Sequence, residues 1–348
     1  MRCQLLTLID EHAQACYAAK DEMVDLEHRL RRRARLWRRR LSYNWSLFRT
    51  DRLGVVGLAI LGLFMILGIL HPILLSTVWD PEIYDPINGF DWEEPRPPPA
   101  PPSLRHLLGT DIQGRDVLSQ LLYSIRIELM LGVLAAVVAA LLGTAIGVLA
   151  AYFHGKLIDT ALMRLTNLFL VLPPVAFILF LGTLTRLNIP LLALLIGAIV
   201  GGKVAIIMKA RALEVVLKPY VSAARVIGGR SLYIIWRHVL PNVIPYAFLF
   251  MMFSSVTAVL AEALLSFYGG GYSGGLHYGE APMGFIQMSW GLMLYLAYYS
   301  GYFMGDNVIR YWWLSFPAGF AVTLLSSAFY FLGRGFNQIA NPKLGGVR

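Results

Sequence analysis

The chain has 348 residues, 57% of them hydrophobic and 15% charged, with a formal net charge of +9 and a mean hydropathy of +0.59. Soluble domains carry about 25% charged and 45–50% apolar residues. The excess here lies in runs of about 20 or more residues with few charges, which excludes an ordinary soluble domain and implies a polytopic membrane protein.

The positive charge does not point to nucleic acid, because no binding module accompanies it and basic residues of membrane proteins collect on the cytoplasmic side. Cys3 and Cys16 both precede the first apolar run, and two thiols in such a tail imply no disulfide framework. Residues 1–30 mix charges with leucines and lack the uninterrupted apolar core of a cleavable signal peptide. Residues 1–50 read as a basic cytoplasmic segment, with eight arginines between Arg29 and Arg40. Such a cluster holds its side inside and sits on anionic headgroups, at about 1 kcal/mol per basic residue.

A first span is predicted from about Leu53 to Ser76, within a 51–76 element. Its 24 residues reach about 36 Å, enough to cross with tilt. Residues 77–123 then form an external loop with eight acids and three arginines. That contrast with the arginine-rich tail sets the orientation. Within it, Pro95 to Pro102 is a stiff spacer. In Leu108–Asp116, LGTDIQGRD, the acids suit turns and helix caps and the glycines permit tight backbone. Val117, Leu118, Leu121 and Leu122 are predicted to form a short interfacial helix.

Residues 124–338 hold five further predicted spans. The second, about Ile125 to Phe153, is rich in Ala and Gly, which lets helices approach closely in lipid. The third, about Thr160 to Leu184, is interrupted by Pro173 and Pro174 and should kink or unwind near mid-membrane. The fourth runs from about Ile189 to Met208, the fifth from Val243 to Phe267 and the sixth from Tyr311 to Gly333. An external insert, 268–311, joins the last two, and a cytoplasmic tail follows at 339–348. Ala281 to Met304 has no charged residue, yet a seventh crossing would place the basic C-terminus outside. It reads as re-entrant or interfacial, with its tyrosines and Trp290 as interface residues.

Gly197–Lys203, GAIVGGK, formally matches the start of a phosphate-binding loop. Val204 stands where Ser or Thr is needed, and the segment is an apolar helix rather than a strand-to-helix turn. The seven histidines have no metal-like spacing, and no catalytic triad or carboxylate pair stands out. No catalytic residue and no metal ligand is expected. Glu262 is read as the one acid well inside a span. A charge there costs about 2.5–3.5 kcal/mol, which favours a functional role. The structural alternative is a bond to Ser266 or a pair with Arg126 or Arg186. Glu262, Pro173, Pro174 and Trp290 are the candidate gate or path residues.

The remaining signal lies between two apolar runs, in the coupling-helix region 210–241. Residues 209–238 hold six Lys or Arg against one acid, Glu214. Pro219 suits a first helical turn. Tyr220 to Ile227 is predicted helical, with Ala223 and Ala224 giving a low profile, and Gly228 and Gly229 end it. Ser231 is expected to cap a second short helix reaching Trp236, and Pro241 to stop the chain before the membrane. Two ordered helices in a basic loop suggest a surface for a partner protein. Lys218, Pro219, Tyr220, Ser222, Ala223, Ala224, Arg225, Gly228, Gly229 and His238 are its candidate docking residues.

This stretch, YVSAARVIGG…WRHVLPN, resembles the cytoplasmic signature of ABC-importer permeases: Glu-Ala-Ala, three residues, Gly, and a hydrophobic-x-Leu-Pro ending nine residues on. Ala223, Ala224, Gly228, Leu240 and Pro241 fall in register. His238 and Asn242 match the ending of the dipeptide/oligopeptide/nickel group. Leu108–Arg126 resembles that group's Gly-Thr-Asp…Gly-Arg-Asp segment, and AEALLSFYGGG from Ala261 its Ala-Glu-Ala…Leu-Ser-Phe-x-Gly segment. The resemblance spans roughly residues 45–342 and is to the C-type subunit. It implies an all-α permease fold of six transmembrane helices with a coupling helix. It also implies a homologous second permease, two cytoplasmic ATPases that hold ATP and Mg, and an external substrate-binding protein. No cofactor is expected in this chain. Peptides are the implied cargo, with oligosaccharides or nickel as alternatives within the group. A stand-alone secondary transporter or channel is the reading from another class. Two departures stand out: Ser222 replaces the signature Glu, and the insert between the fifth and sixth spans is longer than usual.

Overall fold

The computed structural model describes residues 42–43, 45–94, 97–171, 173–184, 188–269 and 288–340. The arginine cluster 29–40, part of the proline run, Arg186, residues 270–287 of the external insert and the C-terminal tail lie outside them. The chain divides into two units, residues 1–50 and 51–348. In the first, residues 45–50 are helical, and Trp45 stacks on Phe48 with centroids 5.8 Å apart.

In the second unit the long apolar runs fold as helices, since in lipid the backbone satisfies its own polar groups only that way or in a closed barrel. In chain order these are α1 (Arg52–Thr77), α2 (Pro81–Tyr84), α3 (Val117–Tyr152), α4 (Leu157–Val171), α5 (Pro174–Leu184) and α6 (Ile189–Val216). They continue with α7 (Pro219–Val226), α8 (Ser231–Ile234), a π turn (Ile235–Val239), α9 (Leu240–Gly269) and α10 (Trp290–Tyr299). Last come α11 (Asn307–Arg310), a 3-10 turn (Trp312–Leu314) and α12 (Phe316–Ala340). The all-α polytopic architecture is as expected. Among the described residues, five helical stretches are long and apolar enough to cross a membrane.

The predicted third span is the one that does not appear as a long helix. It is split into α4 and α5, of 15 and 11 residues. Pro174 opens α5, where its missing N–H costs nothing, and Pro173 stands between the two helices.

Three predicted boundaries are corrected. The separate interfacial helix does not exist: Val117 opens α3, which runs unbroken to Tyr152, because Asp116 caps it and no Pro or helix-ending Gly follows. The chain does not stop at Pro241. The π turn carries the helix through, with the Leu240 amide reaching back to Ile235 O, so residues 231–268 form one continuous helical stretch. A widened turn accommodates a proline that cannot donate. The last span begins at Phe316 rather than Tyr311, since Trp312–Leu314 forms a tight turn first.

Small residues set the packing. A Cβ at Gly143 of α3 would come within 2.6 Å of Val204 Cβ on α6, and one at Gly147 within 2.7 Å of Ala205 O. From the other side, a Cβ at Gly197 of α6 would meet Val138 Cβ at 2.6 Å. The two helices therefore touch backbone to backbone along their length. α1 lies on α12 in the same way, with Gly57 against Ala328 O. Asp51 caps α1 through Leu53 N and pairs with Arg334 near the end of α12 at 3.3 Å. Trp290, Phe64 and Phe329 fill the core where α1, α3, α10 and α12 meet. Ile178, Leu192 and Ile196 fill the core beside α5. Val148, Met208, Val215 and Val239 fill the core at the α7 end.

Gly143→Ala is expected to cost about 1–3 kcal/mol by overpacking. Gly62→Ala, on α1 with nothing within 4 Å, is expected to be neutral or slightly stabilising. Thermal unfolding of the two variants in detergent distinguishes them.

Candidate functional site

At the end of the bundle where α6 leaves the core, Lys218 adopts an extended conformation and Pro219 occupies the first turn of α7. Two residues, Val221 and Arg225, fasten this helix. Val221 is fully buried, while Lys218, Pro219, Tyr220, Ser222, Ala223 and Arg225 remain exposed and Ala224 is half-buried. The Arg225 guanidinium lies over the Tyr152 ring at 4.6 Å, tying α7 to the end of α3. Gly228, at φ +84°, closes the helix: Gly228 N donates to Arg225 O and Gly229 N to Ala224 O, both at 3.0 Å. A Cβ at Gly229 would sit 2.7 Å from Ala224 O, so both glycines are required by backbone geometry.

Ser231 is the first residue of α8 rather than its cap; Arg230 holds the cap position with no side-chain bond. His238 lies between two rings, with Tyr220 at 6.2 Å and Tyr233 at 6.0 Å. The result is an apolar ledge in a basic setting. Val226 is 86% exposed, Ile227 85% and Trp236 67%. The support beneath is ionic. Asp159, in the first turn of α4, bonds Lys209 of α6 at 2.5 Å, His154 Nδ1 at 3.0 Å and the Gly155 amide at 3.2 Å.

The gate and path residues are not brought together here. Pro173 and Pro174 are exposed at the α4–α5 break. Trp290 is not an interface residue: it is fully buried, with Nε1 donating to Leu121 O at 3.0 Å. α10 has ten residues, about 15 Å of helix, too short to cross a bilayer. Glu262 is fully buried and accepts from Ser266 Oγ at 2.7 Å, the structural alternative foreseen for it. It is not the one acid inside a span. Glu128 of α3 is equally buried and faces it, so a carboxylate pair does exist. The charge criterion that singles out Glu262 applies equally to Glu128; 134 residues of separation conceal the pairing.

At the opposite end, Leu108–Asp116 forms the expected turn and cap. Asp111 accepts from the Gln113 and Arg115 amides and pairs with the buried Arg115 guanidinium. Asp116 accepts from Ser119 N at 2.7 Å. Sequence spacing gives no hint of what His106 does. It is fully buried, with Nδ1 2.9 Å from Asp116 and Nε2 3.2 Å from Asp91, and Arg105 holds Asp91 at 2.6 Å. Burial opposes charge on this imidazole. The hydrogen bonds and negative charge of Asp116 and Asp91 outweigh it and hold the His106 pKa above its ordinary value. Asp91, Glu94 and His106 are close enough to share a metal ion, but both ring nitrogens are already engaged by carboxylates. The group acts as an ionic clamp on the loop.

Against known proteins, residues 143–346 match the family model of the binding-protein-dependent transport system inner membrane component. The chain belongs to this family. It is a C-type permease of the ABC-importer class, a membrane subunit that is not itself catalytic. Its relatives include a permease protein of Brucella suis named for a peptide transport system, 34% identical over 70% of this chain and 76% of that protein. The dipeptide transport system permease of Bacillus subtilis is 29% identical over 87% of each. The oligopeptide transport system permease of Escherichia coli is 32% identical over 85% of this chain and 89% of its own.

Two outcomes are expected of this permease. Gly228→Ala places a side chain at positive φ in open space and costs about 1–2 kcal/mol. That corresponds to roughly 5–30-fold faster hydrogen exchange of the Gly228 and Gly229 amides. The His106 clamp should be strongest below about pH 6.5, the unfolded imidazole value, and weaken as pH rises through the raised folded value. Thermal unfolding against pH should show this slope in the native chain and its absence in His106→Asn.

Proposed function

We propose that this permease forms half of the translocation path of an ABC importer for peptides, and that α7 with the ledge beside it is where an ATPase subunit docks. The observation that carries the reading is the ledge: Val226, Ile227 and Trp236 are among the most exposed apolar side chains at this end of the molecule, flanked by Lys218, Arg225, Arg230 and Arg237. Exposed apolar patches rimmed by polar residues mark interaction sites. The short, low-profile helix fits a groove, and the buried Val221 makes it part of the bundle rather than a loose loop. With Ser222 in the signature position, docking rests on shape, small residues and arginines rather than on a carboxylate.

In this reading the basic segments and both termini are cytoplasmic, following the charge bias. A homologous second permease completes the path, two ATPases bind ATP and Mg, and an external binding protein delivers the cargo. This chain needs no cofactor of its own. Closure of the ATPases carries the docked helices toward each other and switches access to the path. The permease then needs only two states, each favoured by a different partner. The relatives named for dipeptide and oligopeptide transport support peptides as cargo.

Val226→Asp tests the docking surface, because a residue so exposed tolerates the change without loss of fold. The expected result is a normally folded permease that captures its co-expressed ATPases at least tenfold less well, about 1.4 kcal/mol, with peptide uptake falling in parallel. Unchanged capture and uptake would exclude the ledge as the docking site.

A further inference from the structure

Charged and polar side chains are costly inside a span, and those that occur there face the bundle interior or a water-filled cavity. Three such side chains take no part in docking. Arg164 and Asn167 lie on α4 and Lys203 near the middle of α6, and all three are exposed. Among the described residues, no hydrogen bond or ion pair engages any of them. A basic rim at the helix end does not account for Lys203. It stands six residues, about 9 Å of helix, before the Lys209 that Asp159 already holds.

Helix packing brings the three to one face. A Cβ at Gly201 of α6 would lie 3.4 Å from Ala139 O on α3, and one at Gly202 3.6 Å from Thr166 O on α4. Successive helical residues are about 100° apart. Gly201 thus faces α3, Gly202 faces α4, and Lys203 turns past both to the side away from α3. Asp159 pairs with Lys209 while Thr166 meets Gly202, so α4 and α6 run antiparallel. The step from Thr166 to Asn167 therefore turns to the same side as the step from Gly202 to Lys203, and Arg164 lies one turn from Asn167 on that side. All three are within two residues, about 3 Å of rise, of the point where the helices touch. The same helix breaks just beyond, at the exposed Pro173 and Pro174. Non-helical backbone at membrane depth is tolerated only where protein buries it or water reaches it, so the break and the cations point independently to a wetted wall.

We propose that Arg164, Asn167 and Lys203 form an anion site on the wall of the translocation path, and that it receives the C-terminal carboxylate of a peptide. The inference rests on the importer reading above and names what the path recognises. A guanidinium fork pairs with both oxygens of a carboxylate, and the Lys203 ammonium adds a second positive charge. The Asn167 carboxamide both donates and accepts, as the peptide group next to that carboxylate requires. A metal cation as cargo is repelled by this wall, and a neutral sugar leaves both cations unpaired. Phospholipid headgroups lie at the membrane surface, nearer the level of Asp159 and Lys209, and match the site less well.

The test uses the whole importer, co-expressed and reconstituted in liposomes with its binding protein. Uptake of a tripeptide with a free C-terminal carboxylate is compared with uptake of its C-terminal amide. Only the ratio of the two rates is read, so the binding protein's own preference cancels between variants. Arg164→Gln combined with Lys203→Gln is expected to lower that ratio at least tenfold. With Cys3 and Cys16 replaced by Ser, Asn167→Cys is expected to react with a water-soluble maleimide, and the free-carboxylate peptide, but not the amide, should slow the reaction. An unchanged ratio in the double variant would overturn the proposal. So would an Asn167→Cys reached only by a lipid-soluble maleimide, or a phospholipid that co-purifies with the native chain and is lost from the double variant while the ratio holds. Should the double variant fail to assemble, the labelling decides by itself. Capture of the ATPases by the native chain, scored in the same preparation, reports separately on the importer reading.

Discussion

The close approach of α3 and α6 is the constraint on which the rest depends. In lipid there is no hydrophobic force between helices, so association rests on packing and on interhelical polar contacts. Gly143, Gly147 and Gly197 let two long helices meet backbone to backbone. Everything of functional interest hangs from the ends of this pair. At one end of α3, Tyr152 carries Arg225. At the same end of α6, Lys209 holds Asp159, and the chain turns directly into α7. At the other end of α3, Asp116 caps the helix and engages His106.

A rigid pair with a small helix pressed on one end transmits displacement well. α7 is held by a plug, Val221, and by one cation over a ring, and is closed by glycine geometry. Beside it Val226, Ile227 and Trp236 form a ledge that no described residue covers. A surface built this way suits a partner that pushes or pulls, because force on the ledge reaches the helix bundle without an intervening flexible loop. The π turn after α8 keeps the helix continuous. By carrying the helix through Pro241, it joins the ledge to α9, and α9 leads to Glu262.

The candidate site was legible in part. Pro219, the two alanines and the double glycine announce a short, stopped helix because each acts locally, through backbone geometry alone. The break at Pro173 and Pro174 was legible for the same reason. Pro241 misled because the remedy for a missing donor was a widened turn, which depends on how neighbouring helices hold the backbone. Trp290 misled because aromatic residues favour both membrane interfaces and buried cores; the helices that surround a side chain decide between them. His106 and Glu128 were silent, since their meaning lies in partners 10 to 134 residues away.

By itself the sequence determined a polytopic all-α membrane protein, the position of nearly every span, the broken third span and the resemblance to importer permeases. These follow from hydropathy, from charge placement and from residues whose backbone preferences do not depend on context. Tertiary structure alone decided that the second span starts at its aspartate cap and that α10 is a buried half-length helix. It also decided that two acids on different helices meet, and that an imidazole is clamped between two carboxylates. Those are long-range pairings, set by which helix faces touch, and helix faces touch where small residues and shape complementarity allow. Composition and local periodicity carry no record of that.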